Sequence, residues 1–255
     1  GSIRIDAFPH PVDVDRGRFS LRDGQILVEA FEGRLGGGRI EGFEGSRIEL
    51  VDLRPRIYDV HATCVDCTVR YPSMLPWTRA TADLRLTGTA PMVTLQGDVA
   101  VEDMTYREDF NWQSSILTTT NRRSRQQGSN GDGKTVVGLD LRVHSDGGFG
   151  ISNNLGQARA SGELRVVGDT REVGLDGELT TQGGRVWFRG HDFDLTSGTF
   201  GFPDPQTLDP HFHLELDTDV STREQRYSIH YDIDGSLSAV GEMQIAGRSD
   251  PQLSE

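Results

Sequence analysis

Residues 84–99 read LRLTGTAPMVTLQGDV and residues 164–179 read LRVVGDTREVGLDGEL, two stretches that align without a gap at a spacing of 80 positions. Both alternate apolar and polar residues, and their glycines match: Gly88 with Gly168, and Gly97 with Gly177. Alternation with period two is typical of a strand with one apolar face, and the glycines are typical of tight turns. The repeat therefore predicts stacked β-units in an elongated molecule.

The same alternation continues along most of the chain, where 31 glycines interrupt it. No window has the i, i+3, i+4, i+7 spacing of an amphipathic helix long enough to cover a sheet. An apolar sheet face without a helical cover must close into a barrel, stack as a sandwich, or curl into a trough. The sequence thus predicts an all-β fold with almost no helix.

Composition narrows the function classes. The formal net charge is −13 and the pI is about 4.9, so the chain repels nucleic-acid phosphates at long range and we expect no nucleic-acid partner. Its apolar runs are far shorter than the roughly 20 residues of a membrane-spanning helix. We expect a segment of a longer protein whose membrane anchor and targeting signals lie elsewhere.

One polar segment, residues 111–135, breaks the alternation, and we expect it to be a mobile loop. Its arginines, Arg122, Arg123 and Arg125, could bind a lipid head group or an acidic partner, but such runs are usually solvated. Residues 128–135 also satisfy the nucleotide-binding pattern GxxxxGKT. Because they lack a preceding buried strand and a following helix, we expect no nucleotide binding.

Cys64 and Cys67 are the only cysteines and form a CxxC pair. A redox pair needs a helix N-terminus and a zinc site needs further ligands, and neither is evident. Positions i and i+3 of a regular strand point to opposite faces, so the spacing favours ordinary strand cysteines over a local disulfide.

Histidines offer a weak metal signal. His211 and His213 share a strand face, and His191 and His230 could lie on neighbouring strands. No carboxylate or further histidine stands at a ligand-like spacing in the sequence, so we expect no metal and no cofactor. Serine, histidine and aspartate occur without a nucleophile-elbow pattern, and we expect no enzymatic activity.

The run GELRVVGDTREVGLDGELTTQGGRVWFRGHDFDLTSGTFGFPDP (residues 162–205), followed by LDPHFHLELDTDV and AGRSDPQL, resembles the C-terminal region of the TamB family. This family, the translocation and assembly module proteins of Gram-negative envelopes, belongs to the AsmA-like superfamily. Upstream, GRLGGGRIEGFEG and VRYPSMLPWTRATADLRLTGTAP resemble earlier copies of the pattern, so the resemblance covers most of the chain. The Arg-rich segment and the cysteine pair depart from it.

The resemblance implies a taco-like trough, apolar inside and polar outside, with residues 1–255 forming one elongated domain. It implies a periplasmic segment of an inner-membrane-anchored protein that carries phospholipid between the two membranes. The alternative is an assembly scaffold for outer-membrane proteins and autotransporters, whose sheet edge pairs with a β-barrel partner of the TamA-like insertase type. Roughly 18 short strands at about 4.8 Å each would give a trough of about 85 Å.

On this interpretation the groove is lined by the apolar residues that share the period-two alternation. They are Leu84, Leu86, Val93, Leu95, Leu164, Val166, Val173, Leu175, Val186, Phe188, Phe193, Leu195, Phe200, Phe202, Phe212, Leu214, Leu216, Ile229 and Ile233.

Overall fold

The chain is almost entirely β-structure, as predicted. The computed structural model describes residues 1–3, 10–42, 45–71, 75–107, 109, 135–169, 171–181, 183–188, 191–206, 208–221, 225–236 and 238–252. None of the helical structure in these ranges is long and apolar enough to cross a membrane.

The described residues form sixteen strands and one 3-10 turn, which follow one another in sequence order. They are β1 (Ser2–Ile3), β2 (Val12–Arg22), β3 (Gln25–Leu35), β4 (Gly38–Gly42), β5 (Ser46–Val51), β6 (Arg54–Tyr71), β7 (Leu75–Thr89), β8 (Met92–Tyr106), β9 (Val136–Asn153), β10 (Gly156–Asp169), β11 (Val173–Thr181), β12 (Gly184–Phe188), β13 (His191–Phe202), β14 (His211–Ser221), β15 (Arg226–Ser236), the 3-10 turn Val240–Glu242, and β16 (Gln244–Asp250).

All of these strands belong to one sheet, whose path runs β1-β2-β3-β4-β6-β7-β8-β9-β10-β11-β13-β14-β15-β16. β5 lies beside β4 between β3 and β6, and β12 lies beside β11 between β10 and β13. Neighbouring strands are about 4.8 Å apart, so the path spans about 60 Å. This is shorter than the 85 Å expected from the sequence, because the strands are fewer and longer: β6 and β9 have 18 residues each.

Neighbouring strands are antiparallel except β8 and β9, which run parallel. In this pair Met92 lies beside Val136 and Tyr106 lies beside Ile151. The chain therefore leaves β8 and enters β9 at opposite ends of the pair. The Arg-rich segment itself, and the nucleotide-binding pattern within it, lie outside the described residues apart from the exposed Thr135.

The sheet curls with its apolar face on the concave side. The rings of Phe193 in β13 and Tyr231 in β15 meet edge to face at 5.8 Å, although β14 lies between their strands. At the other end one buried cluster joins Val12 of β2, Leu35 of β3 and Cys67 of β6. In a flat sheet, strands two positions apart are about 10 Å apart, so these contacts indicate curvature toward the apolar face.

A line of β-bulges helps to bend the sheet. Bulges interrupt the register in β6 after Cys64 and in the β7–β8 pair at Arg79/Ala80, with further irregularities in the β9–β10 and β13–β14 pairs. The hydroxyl of Thr81 accepts the backbone N–H of Asp66 at 3.2 Å and donates to Glu102 at 2.8 Å, which ties the first two bulges together. Because a bulge bends its strand and increases the local twist, neighbouring bulges create a lengthwise fold in the sheet.

The molecule has little closed core. Its accessible surface is 17437 Å², whereas a compact monomer of this mass exposes about 11,000 Å². Leu21 near one end of the sheet is 67% exposed and Ile245 at the other end is 53% exposed. The apolar face is therefore open at both ends of the described path, and between them most of its residues are only half-buried.

Candidate functional site

The two copies of the repeat form the same hairpin. The register of β7 with β8 pairs Leu84 with Gly97, Leu86 with Leu95 and Gly88 with Val93, and that of β10 with β11 pairs Leu164 with Gly177, Val166 with Leu175 and Gly168 with Val173. Equivalent residues of the two copies thus have equivalent partners. All of these residues lie on the concave face.

The glycine of the second strand is required in each copy. Gly97 has φ +145° and Gly177 has φ +127°, and a Cβ at either position would overlap the carbonyl oxygen of the facing strand, at Asp83 or Glu163 respectively. No side chain other than hydrogen fits there. The repeated glycines in the sequence therefore mark a close approach of two backbones.

The concave face continues beyond the hairpins into β13, β14 and β15. Leu195 lies beside Leu216, Phe200 lies beside Phe212, and Leu214 lies beside Ile233. On the opposite, polar face of the sheet, Asp192 and Asp194 are exposed. The alternation of apolar and acidic residues in β13 thus separates the two faces of the sheet.

The register places the predicted groove residues on this one face, with the side chain of Phe188 outside the described part of the chain. Five are buried: Val93, Leu164, Leu195, Phe212 and Leu216. The other described ones are half-buried: Leu84, Leu86, Leu95, Val166, Val173, Leu175, Val186, Phe193, Phe200, Phe202, Leu214, Ile229 and Ile233. Whether they contact lipid stays a prediction.

Sequence reasoning left several residues out of this face. They are Ile26, Ile48, Tyr58, Val60, Val99, Val137, Leu139, Leu141, Val143, Leu179 and Tyr231. The residues of β9 fill the space between the two hairpins, where Leu141 lies beside Gly97 on one side and Val166 on the other. Their alternation was visible in the sequence, but the strand order that brings them between the repeats was not.

The convex face is covered by ion pairs. Arg142 of β9 lies opposite Arg165 of β10, and each reaches diagonally to an acid: Arg142 to Glu163 at 2.8 Å and Arg165 to Asp140 at 2.8 Å. These hydrogen bonds hold the pKa of both carboxyl groups below their ordinary values. The crossed pairs thus offset the repulsion between like charges on neighbouring strands.

Toward the end of the path the convex face carries histidines as well as arginines. His211 and His213 of β14 each lie 3.6 Å from Asp234 of β15, and His230 hydrogen-bonds to Asp217 at 2.6 Å. That bond raises the pKa of His230. His211 and His213 thus share a face, as predicted, with His230 on the neighbouring strand; His191 lies elsewhere, at the start of β13.

The prediction of two ordinary strand cysteines is wrong, because Cys64 and Cys67 form a disulfide with their Cα atoms 5.9 Å apart. The opposite-face argument holds only for a regular strand. Here a bulge separates the two cysteines, which pair with Ala82 and Ala80, and Asp66 within it has φ +55°. The bulge brings positions i and i+3 to the same side of the strand.

These features define an extended single-sheet β-protein with one apolar and one charged face. The family model of the TamB C-terminal domain matches residues 31–255, and the chain belongs to this family. Family membership gives the chain a role in the cell envelope, in translocation and assembly or in lipid transport, without deciding between them. A comparison with curated proteins found no match.

Proposed function

We propose that the chain is a segment of a lipid-transfer bridge, in which the concave face shields phospholipid acyl chains on their way between the inner and outer membranes. The observation that carries this proposal is the open apolar face. This face extends along the strand path from β2 to β16, and its residues pack mainly against neighbours within the sheet. Such a continuous apolar surface fits a long apolar ligand better than it fits a closed core.

The energetics favour acyl chains as the ligand. Each methylene removed from water contributes about 0.8 kcal/mol, so an acyl chain lying along the face gains free energy at every position on the path. The charged head group is better solvated at the open side of the trough, because burying it without partners would cost several kcal/mol. The mechanism is passive solvation and needs no catalytic residue, cofactor or metal.

The disulfide supports a periplasmic location for this segment. Disulfides persist in oxidising compartments and are rare in the reducing cytosol. The Cys64–Cys67 bond is therefore expected in a segment that lies outside the inner membrane.

Extraction tests the proposal directly. We expect organic solvent to release phospholipid from the purified chain, detected by mass spectrometry, and we expect less from a Leu175→Arg variant of equal strand content. A Thr180→Arg variant adds the same charge to the exposed face of the same strand and should retain its lipid. A wild-type chain that carries no phospholipid and takes none up from vesicles would contradict the proposal.

An assembly scaffold is the second candidate, and β16 favours it. This strand pairs with β15 on one side, and its residues 244–248 are exposed. An exposed strand edge is a template for pairing with another chain, here an outer-membrane β-barrel partner. Successive N–H groups of a strand point to opposite edges, so only one of Ile245→Pro and Ala246→Pro removes a donor from the free edge. Under the scaffold function, one of them should weaken capture of the barrel without loss of strand content.

A further inference from the structure

Three side chains with metal-binding chemistry meet on the convex face. His213 and Glu215 of β14 and Asp232 of β15 each offer one ligand atom, and these atoms all lie within 4.8 Å of one another. Glu215 and Asp232 are direct cross-strand neighbours. The two carboxylates are half-buried and the imidazole is exposed, so an ion from solvent can reach all three.

Each of these side chains also has a polar neighbour outside the cluster. Asp234 lies 3.6 Å from Nδ1 of His213, the hydroxyl of Ser197 donates to Glu215 at 2.8 Å, and Nε2 of His230 lies 3.3 Å from Asp232. Metal-binding histidines usually have a carboxylate on their other ring nitrogen, and metal-binding carboxylates are usually hydrogen-bonded.

In the part of the chain that the structure describes, Glu215 and Asp232 lie side by side without an arginine to pair with them, unlike the acidic residues of β9 and β10 on the same face. Like charges directly opposite each other on neighbouring strands are destabilising. In β9 and β10 such contacts are offset by crossed pairs such as Arg142 with Glu163. Among the ion pairs of the described residues, no guanidinium contacts Glu215 or Asp232. A bound cation would neutralise this pair.

We propose that His213, Glu215 and Asp232 form a binding site for a divalent ion of the zinc class, which links β14 to β15 beside the edge strand β16. One imidazole and two carboxylates suit Zn²⁺ better than Mg²⁺ or Ca²⁺, which prefer oxygen ligands alone. Ligands of a tetrahedral zinc ion, at about 2.0 to 2.2 Å from the metal, are roughly 3.3 Å apart, so small rotations of these surface side chains would close the site. The sequence analysis missed the site for two reasons. Asp232 comes from another strand, and Glu215, two positions after His213 on the same strand face, was not recognised as a ligand.

Calorimetry with ZnCl₂ on the purified chain tests this site. We expect one ion bound per chain, and affinity at least about 10-fold lower in both His213→Gln and Asp232→Asn, since each removes a ligand. His191→Gln, at an exposed position of β13 outside the cluster, should bind zinc as the wild type does. MgCl₂ should give no comparable heat.

The variants are expected to fold, because Asp232→Asn removes a like-charge contact rather than a packed side chain. Circular dichroism and the thermal midpoint without metal check this. Zinc should raise the midpoint of the wild-type chain more than that of either ligand variant. Absence of one-to-one zinc binding, or equal binding by folded His213→Gln and Asp232→Asn chains, would overturn the proposal.

Discussion

A charge placed on the concave face should block acyl chains while leaving the sheet folded. Leu175 is suited to this test because it is half-buried, lies beside Val166, and belongs to the interior strand β11, far from both edges of the sheet. Full burial of a leucine contributes about 1.5 to 3 kcal/mol, so Leu175→Arg should lower the free energy of unfolding by about 1 kcal/mol.

The effect on bound lipid should be larger than the effect on stability. An unpaired guanidinium among acyl chains costs several kcal/mol, because those chains offer it no hydrogen-bond acceptor. At about 3 kcal/mol, with 1.36 kcal/mol for each factor of ten, occupancy at this point of the groove falls by about a hundredfold. Leu214→Arg, on β14 beside Ile233, should behave in the same way.

The assay is transfer of a fluorescent phospholipid between vesicles by the purified chain, with Thr180→Arg as the matched control. Thr180 is exposed on the convex face of the same strand as Leu175, so the control adds an equal charge without entering the groove. Strand content and the urea midpoint show whether each variant is folded. Folded Leu175→Arg and Leu214→Arg chains that transfer lipid at the wild-type rate would refute the conduit and leave the assembly function.

Three further outcomes follow from the packing and the charges. Gly177→Ala should lower the free energy of unfolding by at least about 1 kcal/mol, because φ is +127° there and a Cβ would overlap the Glu163 carbonyl oxygen. Urea titration measures this, and Gly138→Ala is the control: a Cβ at Gly138 meets only ordinary contacts, so the urea midpoint should change little. Cys67→Ser should cost about 2 kcal/mol, the chain-entropy value for so short a loop, and dithiothreitol should shift the urea midpoint of the wild type but not of this variant. Arg142 holds the pKa of Glu163 below its ordinary 4.5, so the stability from this pair is present above pH 4.5 and lost as the pH falls through the lower folded value. Thermal midpoints between pH 5 and pH 3 should therefore fall less in Arg142→Gln than in the wild type; an equal fall would show that the pair does not contribute.

The faces of the strands were predictable because alternation with period two assigns a side for as long as a strand is regular. Phe193 and Leu195 illustrate this, since their neighbours Asp192 and Asp194 are exposed. The prediction failed where a bulge adds a residue, as between Cys64 and Cys67. Bulges depend on how two strands meet, which a single strand sequence does not contain.

The relative direction and the register of neighbouring strands could not be predicted either. The parallel pairing of β8 with β9 depends on the path of the chain between them, and nothing in either strand's alternation distinguishes parallel from antiparallel neighbours. The register of β14 with β15, which places Asp232 beside Glu215, could not be predicted from either strand alone. The two residues were therefore not recognised as neighbours, although they are only 17 positions apart in the sequence.

The parallel step between β8 and β9 decides how the two copies of the repeat are related in space. In a sheet of purely antiparallel neighbours, β7 and β10 would run in opposite directions, and the copies would be related by rotation. With one parallel step they run in the same direction, and the register Leu84–Gly97–Leu141–Val166 brings the second copy to the first by translation. The displacement is three strand spacings, about 14 Å, together with two residues along the strand, about 7 Å. Because the offset of two residues is even, equivalent side chains of the two copies face the trough. The apolar wall formed by the first copy therefore recurs once, about 14 Å further along the sheet.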